Sequence, residues 1–194
     1  MTDSLGLIAV DGLTLGAEER AVLRPGCEIE FRDGAVHQLP RFFFQVPNWE
    51  VAHQTRLARH FKLAELMTVD CREADLQLRT FPHYVPCAVA LLAQWLELFR
   101  LEVDAPVFIS ANGAYRSPAH QLNHWQSLHQ WATAADIYRI GDTYLDDQKS
   151  LDRYARIARE IADPVYVRPS VEGDDHLHID LGFAELKPRQ LSER

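Results

Sequence analysis

Cysteine is scarce in this chain: Cys27, Cys71 and Cys87 are the only three in 194 residues, and no two form a C-x-x-C pair. An odd, widely spaced set excludes a disulfide framework, and the three thiols are read as buried and free. Without a thiolate cluster, a metal site would have to use nitrogen and oxygen ligands. Basic charge is also short. Lys and Arg number 20 against 28 Asp and Glu, for a net charge of −8 with nine histidines counted neutral. That balance disfavours duplex nucleic acid and anionic membrane surfaces, where counterion release rewards cations. No apolar run reaches the roughly 20 residues that span a bilayer. The stretch from Met1 to Gly12 has no basic start, no long apolar segment and no small-residue cleavage site. It predicts a chain that is cytoplasmic as encoded, without a signal peptide. Internal repeats and low-complexity segments are absent as well.

What remains has the make-up of an ordinary globular chain, 47% apolar and 25% charged, sized for one domain with a modest extension. The first fifty residues read as short strands with turns between them. Leu5–Leu15 and Cys27–Leu39 alternate apolar and polar residues, and the Asp-Gly pairs at 11–12 and 33–34 are hairpin signals. Arg41–Val46 is a further strand, stopped by Pro47. The texture then turns helical. Val85, Ala88, Val89, Leu92, Trp95, Leu96 and Phe99 form one apolar stripe. Val107–Ser110 reads as a buried strand, and a second helix runs from about Ser150 to Ala162, closed by Pro164. The division expected is a β-rich extension over 1–50 and a main domain over 51–194.

Three pieces of the second half carry chemistry. Asn112–Pro118 is a loop marked by Gly and Pro that presents Arg116. In Ser127–Ile137, His129 and Asp136 are separated by six residues. One unbroken helix would hold them about 10 Å apart, too far to share an ion. Since Ala135–Tyr138 reads as strand, His129 is expected on a preceding turn that folds back. In Asp174–Leu181, alternation puts His176, His178 and Asp180 on one face and Leu177, Ile179 and Leu181 on the other. Two imidazoles and a carboxylate side by side form a costly face unless something uses it.

Taken jointly, Arg116 within Y-R-S-P, then S-x-H-x6-D, then a late H-x-D on a strand resembles the zinc D-alanyl-D-alanine carboxypeptidase family. That family includes vancomycin-resistance D,D-dipeptidases and phage endolysins, with the hedgehog signalling domain as a fold relative. The resemblance runs from about His60 to Phe183. It implies an α+β fold, a small antiparallel sheet carrying a zinc site with packed helices. It implies that His129, Asp136 and His178 bind Zn2+, leaving a fourth position for water, as in catalytic sites. Arg116 matches the arginine that steadies an oxyanion or the substrate's carboxylate, and Ser127 a serine that hydrogen-bonds substrate. For the general base, Asp175 matches the dipeptidase position, with His176 and Glu172 as alternatives. The implied activity is hydrolysis of a short cell-wall peptide, as D,D-carboxypeptidase, D,D-dipeptidase or wall endopeptidase. The implied partner is a peptidoglycan-derived peptide, which a chain without a signal peptide would meet by a non-signal route of release. The competing expectation is a non-catalytic zinc-containing binding module of the same fold. Two features depart from the pattern: Ala132 stands where a glycine is usual, and Gln121–Gln126 replaces a Gly-Gly loop. His37, His53, His83, His120 and His124 have no match and are read as surface or capping residues.

Overall fold

The computed structural model describes residues 6–31, 33–67, 83–120, 122–123, 126–161 and 165–189. Cys71, His124 and Pro164 lie outside them. The chain begins with strand β1 (Ile8–Asp11) and a 3₁₀ turn at Gly12–Thr14. The Asp11 carboxylate accepts the Leu13 N–H at 3.1 Å, so the first Asp-Gly pair caps a turn and does not close a hairpin. A helix follows, α1 (Ala17–Leu23), which the reading of strands and turns did not anticipate. Glu18 and Glu19 stand in its first turn, where negative charge favours a helix N-terminus. The second Asp-Gly pair does turn a hairpin. Strands β2 (Glu28–Glu30) and β3 (Val36–Gln38) pair antiparallel around it, with Gly34 at φ +82°, a conformation that favours glycine.

Strand β4 (Phe42–Gln45) and helix α2 (Trp49–Gln54) come next, the helix capped by Asn48, whose side chain accepts the Val51 N–H. A 3₁₀ turn at Leu63–Leu66 leads on, and strand β5 (Tyr84–Pro86) completes an antiparallel sheet of order β1-β4-β5. The boundary read near residue 50 falls inside α2, and the β4–β5 pairing crosses it. Val85 belongs to β5 and not to the apolar helical stripe, because Pro86 intervenes. The helix itself, α3 (Val89–Val103), buries Val89, Leu92, Ala93, Trp95, Leu96 and Phe99. Of the cysteines, Cys87 is buried as expected; Cys27 is exposed, since it precedes the outlying β2–β3 hairpin.

The second half builds the sheet that holds the polar residues of interest. It comprises β6 (Val107–Ile109), β7 (Ala134–Ile140), β8 (Thr143–Tyr144), β9 (Tyr166–Val167) and β10 (Leu177–Asp180). The order is β6-β7-β10-β9 with β8 beside β7, and all pairings are antiparallel. Helix α4 (Gln148–Ile161) packs on α3 and on this sheet, burying Leu151, Tyr154, Ala155 and Ala158. Asp147 caps it, its carboxylate accepting the Ser150 N–H at 3.0 Å. The molecule is thus α+β, with small antiparallel sheets and four α-helices among the described residues. One buried cluster runs through both halves, from Phe44 and Val46 to Ile137, Leu177 and Ile179. Among the described residues no helix is long and apolar enough to cross a membrane.

Gly113 sets how closely the 110–117 loop lies against β7. Its carbonyl accepts the Asp136 N–H at 2.6 Å, and the Asp136 carbonyl accepts the Ser110 N–H at 3.0 Å. A β-carbon at Gly113 would stand 2.7 Å from the Ser110 carbonyl oxygen and 2.9 Å from that of Asp136. Both are backbone atoms and cannot swing aside. Gly113→Ala is therefore expected to lower unfolding free energy by about 1–3 kcal/mol, the usual cost of overpacking. Denaturant melts measure it, and an unchanged midpoint would mean that loop and strand separate freely.

Candidate metal centre

Three elements converge on one carboxylate. Asp136 lies on β7 directly opposite His178 on β10, so their side chains share one face of the sheet. His129 reaches the same point from a 3₁₀ turn, Leu128–Trp131, that precedes β7. Ala132 then reverses the chain at φ +56°, the left-handed region that ordinarily favours glycine. This is the fold-back that the His129–Asp136 spacing demands. Trp131, wholly buried, donates its indole N–H to the Gln38 carbonyl at 3.1 Å. The N-terminal hairpin thereby braces the turn that carries His129.

One ligand atom from each of His129, Asp136 and His178 lies within 4.8 Å of the other two. The three can therefore hold a metal ion together, and the outer hydrogen bonds suit that use. His129 Nδ1 faces the Ala114 carbonyl at 2.7 Å, leaving Nε2 3.3 Å from Asp136 Oδ2. His178 presents Nδ1 to Asp136 Oδ1 at 2.7 Å, with Nε2 3.5 Å from Asp180 Oδ2. Each imidazole thus has one nitrogen turned to an outer acceptor and the other turned inward, the arrangement that metal-ligating histidines adopt. Asp180 was noted in sequence as part of a polar face; its contact with His178 gives it a definite place.

The cluster is also electrostatically complete without an ion. Arg116 donates through Nη2 to Asp136 Oδ2 at 2.6 Å and through Nε to the Asn112 carbonyl. Burial pushes the Asp136 carboxyl up, but His129 and His178 outweigh it and hold it well below the usual carboxylate range. Burial pushes His129 down, only partly offset by Asp136. Burial works against charge on His178 too, yet hydrogen bonds to Asp136 and Asp180 raise it to about 8. Asp136 and Asp180 thus favour the charged form of His178, and the histidines favour the ionised form of Asp136.

The remaining residues singled out in sequence divide into those near this cluster and those apart from it. His176, just before β10, turns Nε2 toward Asp136 Oδ1 at 3.7 Å and bonds through Nδ1 to Asp175 Oδ1 at 2.7 Å. The Asp175 side chain is 84% exposed and its hydrogen bond is to His176. Glu172 is exposed on the turn before them. Ser127 is the N-cap of the 3₁₀ turn, its hydroxyl accepting the His129 N–H at 3.4 Å. His120 is buried, not on the surface, and caps its own turn by accepting the Leu122 N–H at 3.1 Å. Arg168 was not anticipated. It donates through Nη2 to Asp174 at 3.2 Å and meets His176 Nε2 at 3.3 Å, and no spacing rule links it to the triad.

A metal must displace the His178 proton, so its apparent affinity should rise about tenfold per pH unit up to pH about 8, then level off. His129, held low, should release no proton in that range. Zinc titrations at several pH values read the slope, and a flat profile between pH 6 and 8 would count against His178 as a ligand. Comparisons with family models, with curated proteins and with solved structures find no match for this chain.

Proposed function

We propose that the chain is a zinc metallopeptidase of the D-alanyl-D-alanine carboxypeptidase type, acting on a short peptide of the bacterial cell wall. The observation that carries the reading is the convergence of His129, Asp136 and His178 on one buried point, with an outer oxygen beside one ring nitrogen of each histidine. The donor set favours zinc: two imidazoles and one carboxylate, with no thiolate, leave a position open as catalytic zinc sites do. When bound, zinc polarises a scissile carbonyl and lowers the pKa of a water.

The chain's own residues supply the rest. Arg116, only 13% exposed and anchored on Asp136 and the Asn112 carbonyl, keeps positive charge beside the point where an oxyanion would form. His176 is the group best oriented to take a proton. Asp175 accepts from Nδ1, which leaves the Nε2 lone pair on the cluster side, where the Arg168 Nη2–H meets it at 3.3 Å and must give way before a proton is taken. The two candidates for the base therefore act in series: His176 accepts the water's proton at Nε2 and passes it to the leaving amine, while Asp175 holds the ring and steadies its charged form. Ser127 holds the His129 backbone, which favours a structural share in the site over substrate contact. Glu172 makes no contact with the triad and drops behind both.

Conservative substitutions test the order. His176→Gln should keep the metal and lose about 100- to 10,000-fold in turnover of peptides ending in D-Ala-D-Ala. Asp175→Asn should lose roughly 10- to 100-fold, as for a group that orients another. An inactive Asp175→Asn beside an active His176→Gln would return the base to Asp175. Zinc binding without turnover of any wall peptide by the unaltered chain would favour the binding-module reading.

A further inference from the structure

Where β7 runs beside β6 it takes in one residue more than its neighbour. Val107 pairs with Ile140, Phe108 with Arg139 and Ile109 with Ile137, so Tyr138 is a bulge with no residue opposite it on β6. A bulge re-aims the side chains around it. Ile137 and Ile140 are 0% and 1% exposed, and both belong to the core. Tyr138 and Arg139 are therefore left together on the other face of the strand, the face of Asp136. Phe108 on β6 and Tyr144 on β8 pair with Arg139 from either side. A row of ring, guanidinium and ring thus crosses three strands. The guanidinium carbon stands 3.8 Å from the centre of the Phe108 ring and 5.6 Å from that of Tyr144. The Tyr138 ring lies 6.4 Å and 6.2 Å from the same two rings.

Contact with rings occupies the faces of a guanidinium and leaves its N–H edge to other partners. Arg139 Nε is buried and makes no hydrogen bond. Nη1 and Nη2 reach solvent, and neither makes a hydrogen bond or an ion pair among the described residues. The chain has 28 acidic side chains, yet none of those described is spent on this cation. Packing on Phe108 accounts for the stacked face and not for the open edge. Along that edge one N–H of Nη1 and one of Nη2 run side by side, a match for the two oxygens of a carboxylate. Position gives the edge a use. Arg139 is three residues beyond Asp136 on β7, roughly 10 Å at the rise of a strand, and an extended peptide advances at the same rise. We propose that the Phe108–Arg139–Tyr144 row is a subsite for a carboxylate side chain carried two or three residues from the peptide bond held at the metal cluster. The proposal rests on the peptidase reading for what the cluster holds, and it adds an acidic residue to the substrate.

The probes are acetylated peptides built around D-Ala-D-Ala, each with one Glu or Gln at the second or third residue before or after the cut. Reduced-amide isosteres of the same peptides serve for binding, and all are tested on the full chain. At one of these positions the unaltered protein should prefer Glu to Gln on the order of 10- to 100-fold in kcat/KM, the range of hydrogen bonds to a charged group. Calorimetry with the uncleavable isosteres should show a similar preference in Kd. Arg139→Gln keeps a polar side chain and removes the charge; its Glu-to-Gln ratio should fall to near one in both measurements. Arg139→Lys keeps the charge, loses the paired N–H edge and should fall between, and it carries the test if Arg139→Gln does not fold. Equal treatment of Glu and Gln at every position by the unaltered chain, or an undiminished ratio in both variants, overturns the proposal. If no peptide is cleaved while the isosteres keep a preference that depends on Arg139, the subsite stands and the peptidase reading falls. If the peptides are cleaved without any preference, the peptidase reading stands and the subsite falls.

Discussion

The pairing of β7 with β10 is the constraint on which the rest of the site depends. Antiparallel register places Asp136 across from His178 and Asp180 across from Ala134, while Ile137 meets Leu177 and Ala135 meets Ile179. The second set is wholly buried. A slip of one residue would turn Leu177 and Ile179 outward and drive His178 and Asp180 into the apolar layer, so the core enforces the register that brings the polar residues together. The pairing continues past the strands, where Leu181 donates to the Thr133 carbonyl at 3.0 Å and the Thr133 hydroxyl donates to that of Gly182 at 2.7 Å. The hydrophobic effect stabilises the sheet, and the sheet holds an arrangement of charge that would be unfavourable by itself.

Around that pairing, the backbone does much of the orienting. Ala114 offers its carbonyl to His129, Arg116 takes its N–H to the His129 carbonyl at 3.1 Å, and Gly113 hydrogen-bonds Asp136. One loop therefore touches two of the three metal-site residues through main-chain groups. Main-chain partners cannot rotate away as side chains can, so the His129 ring and the Asp136 backbone keep their places. Asp136 also accepts a charge-assisted hydrogen bond from Arg116 at 2.6 Å, while His129 and His178 oppose the effect of burial on its charge.

The sequence exposed this site more clearly than it exposed the fold. Period-2 alternation located β10 and the shared face of His176 and His178, and the six-residue spacing required His129 to fold back before β7. Local rules also located α3, α4, β4 and the β2–β3 turn within a few residues. They failed at α1 and at the first Asp-Gly pair, because a short alternating run does not say whether a turn closes on its neighbour or on a distant strand. β1 pairs with β4 and not with a following hairpin arm, a long-range choice set by packing. Arg168 was beyond reach for a similar reason. It approaches the triad from β9's end of the sheet, and only the β9–β10 pairing brings it there.

The order of Asp175 and His176 follows from where β10 can begin. Residues 175, 177 and 179 share one parity and 176, 178 and 180 the other. Leu177 and Ile179 are 1% and 0% exposed, so their parity points into the core. Extending the strand back by two residues would carry Asp175 into that apolar layer, where an unpaired carboxylate is costly. The strand therefore begins at Leu177, and Asp175 turns to water. His176 is on the favourable parity and stays beside His178. The carboxylate next to it in the chain is left with the ring nitrogen that faces away from Asp136. Sequence position alone matches Asp175 to the base of the peptidases the chain resembles; under the proposed function, the burial of Leu177 supports a role one hydrogen bond further out.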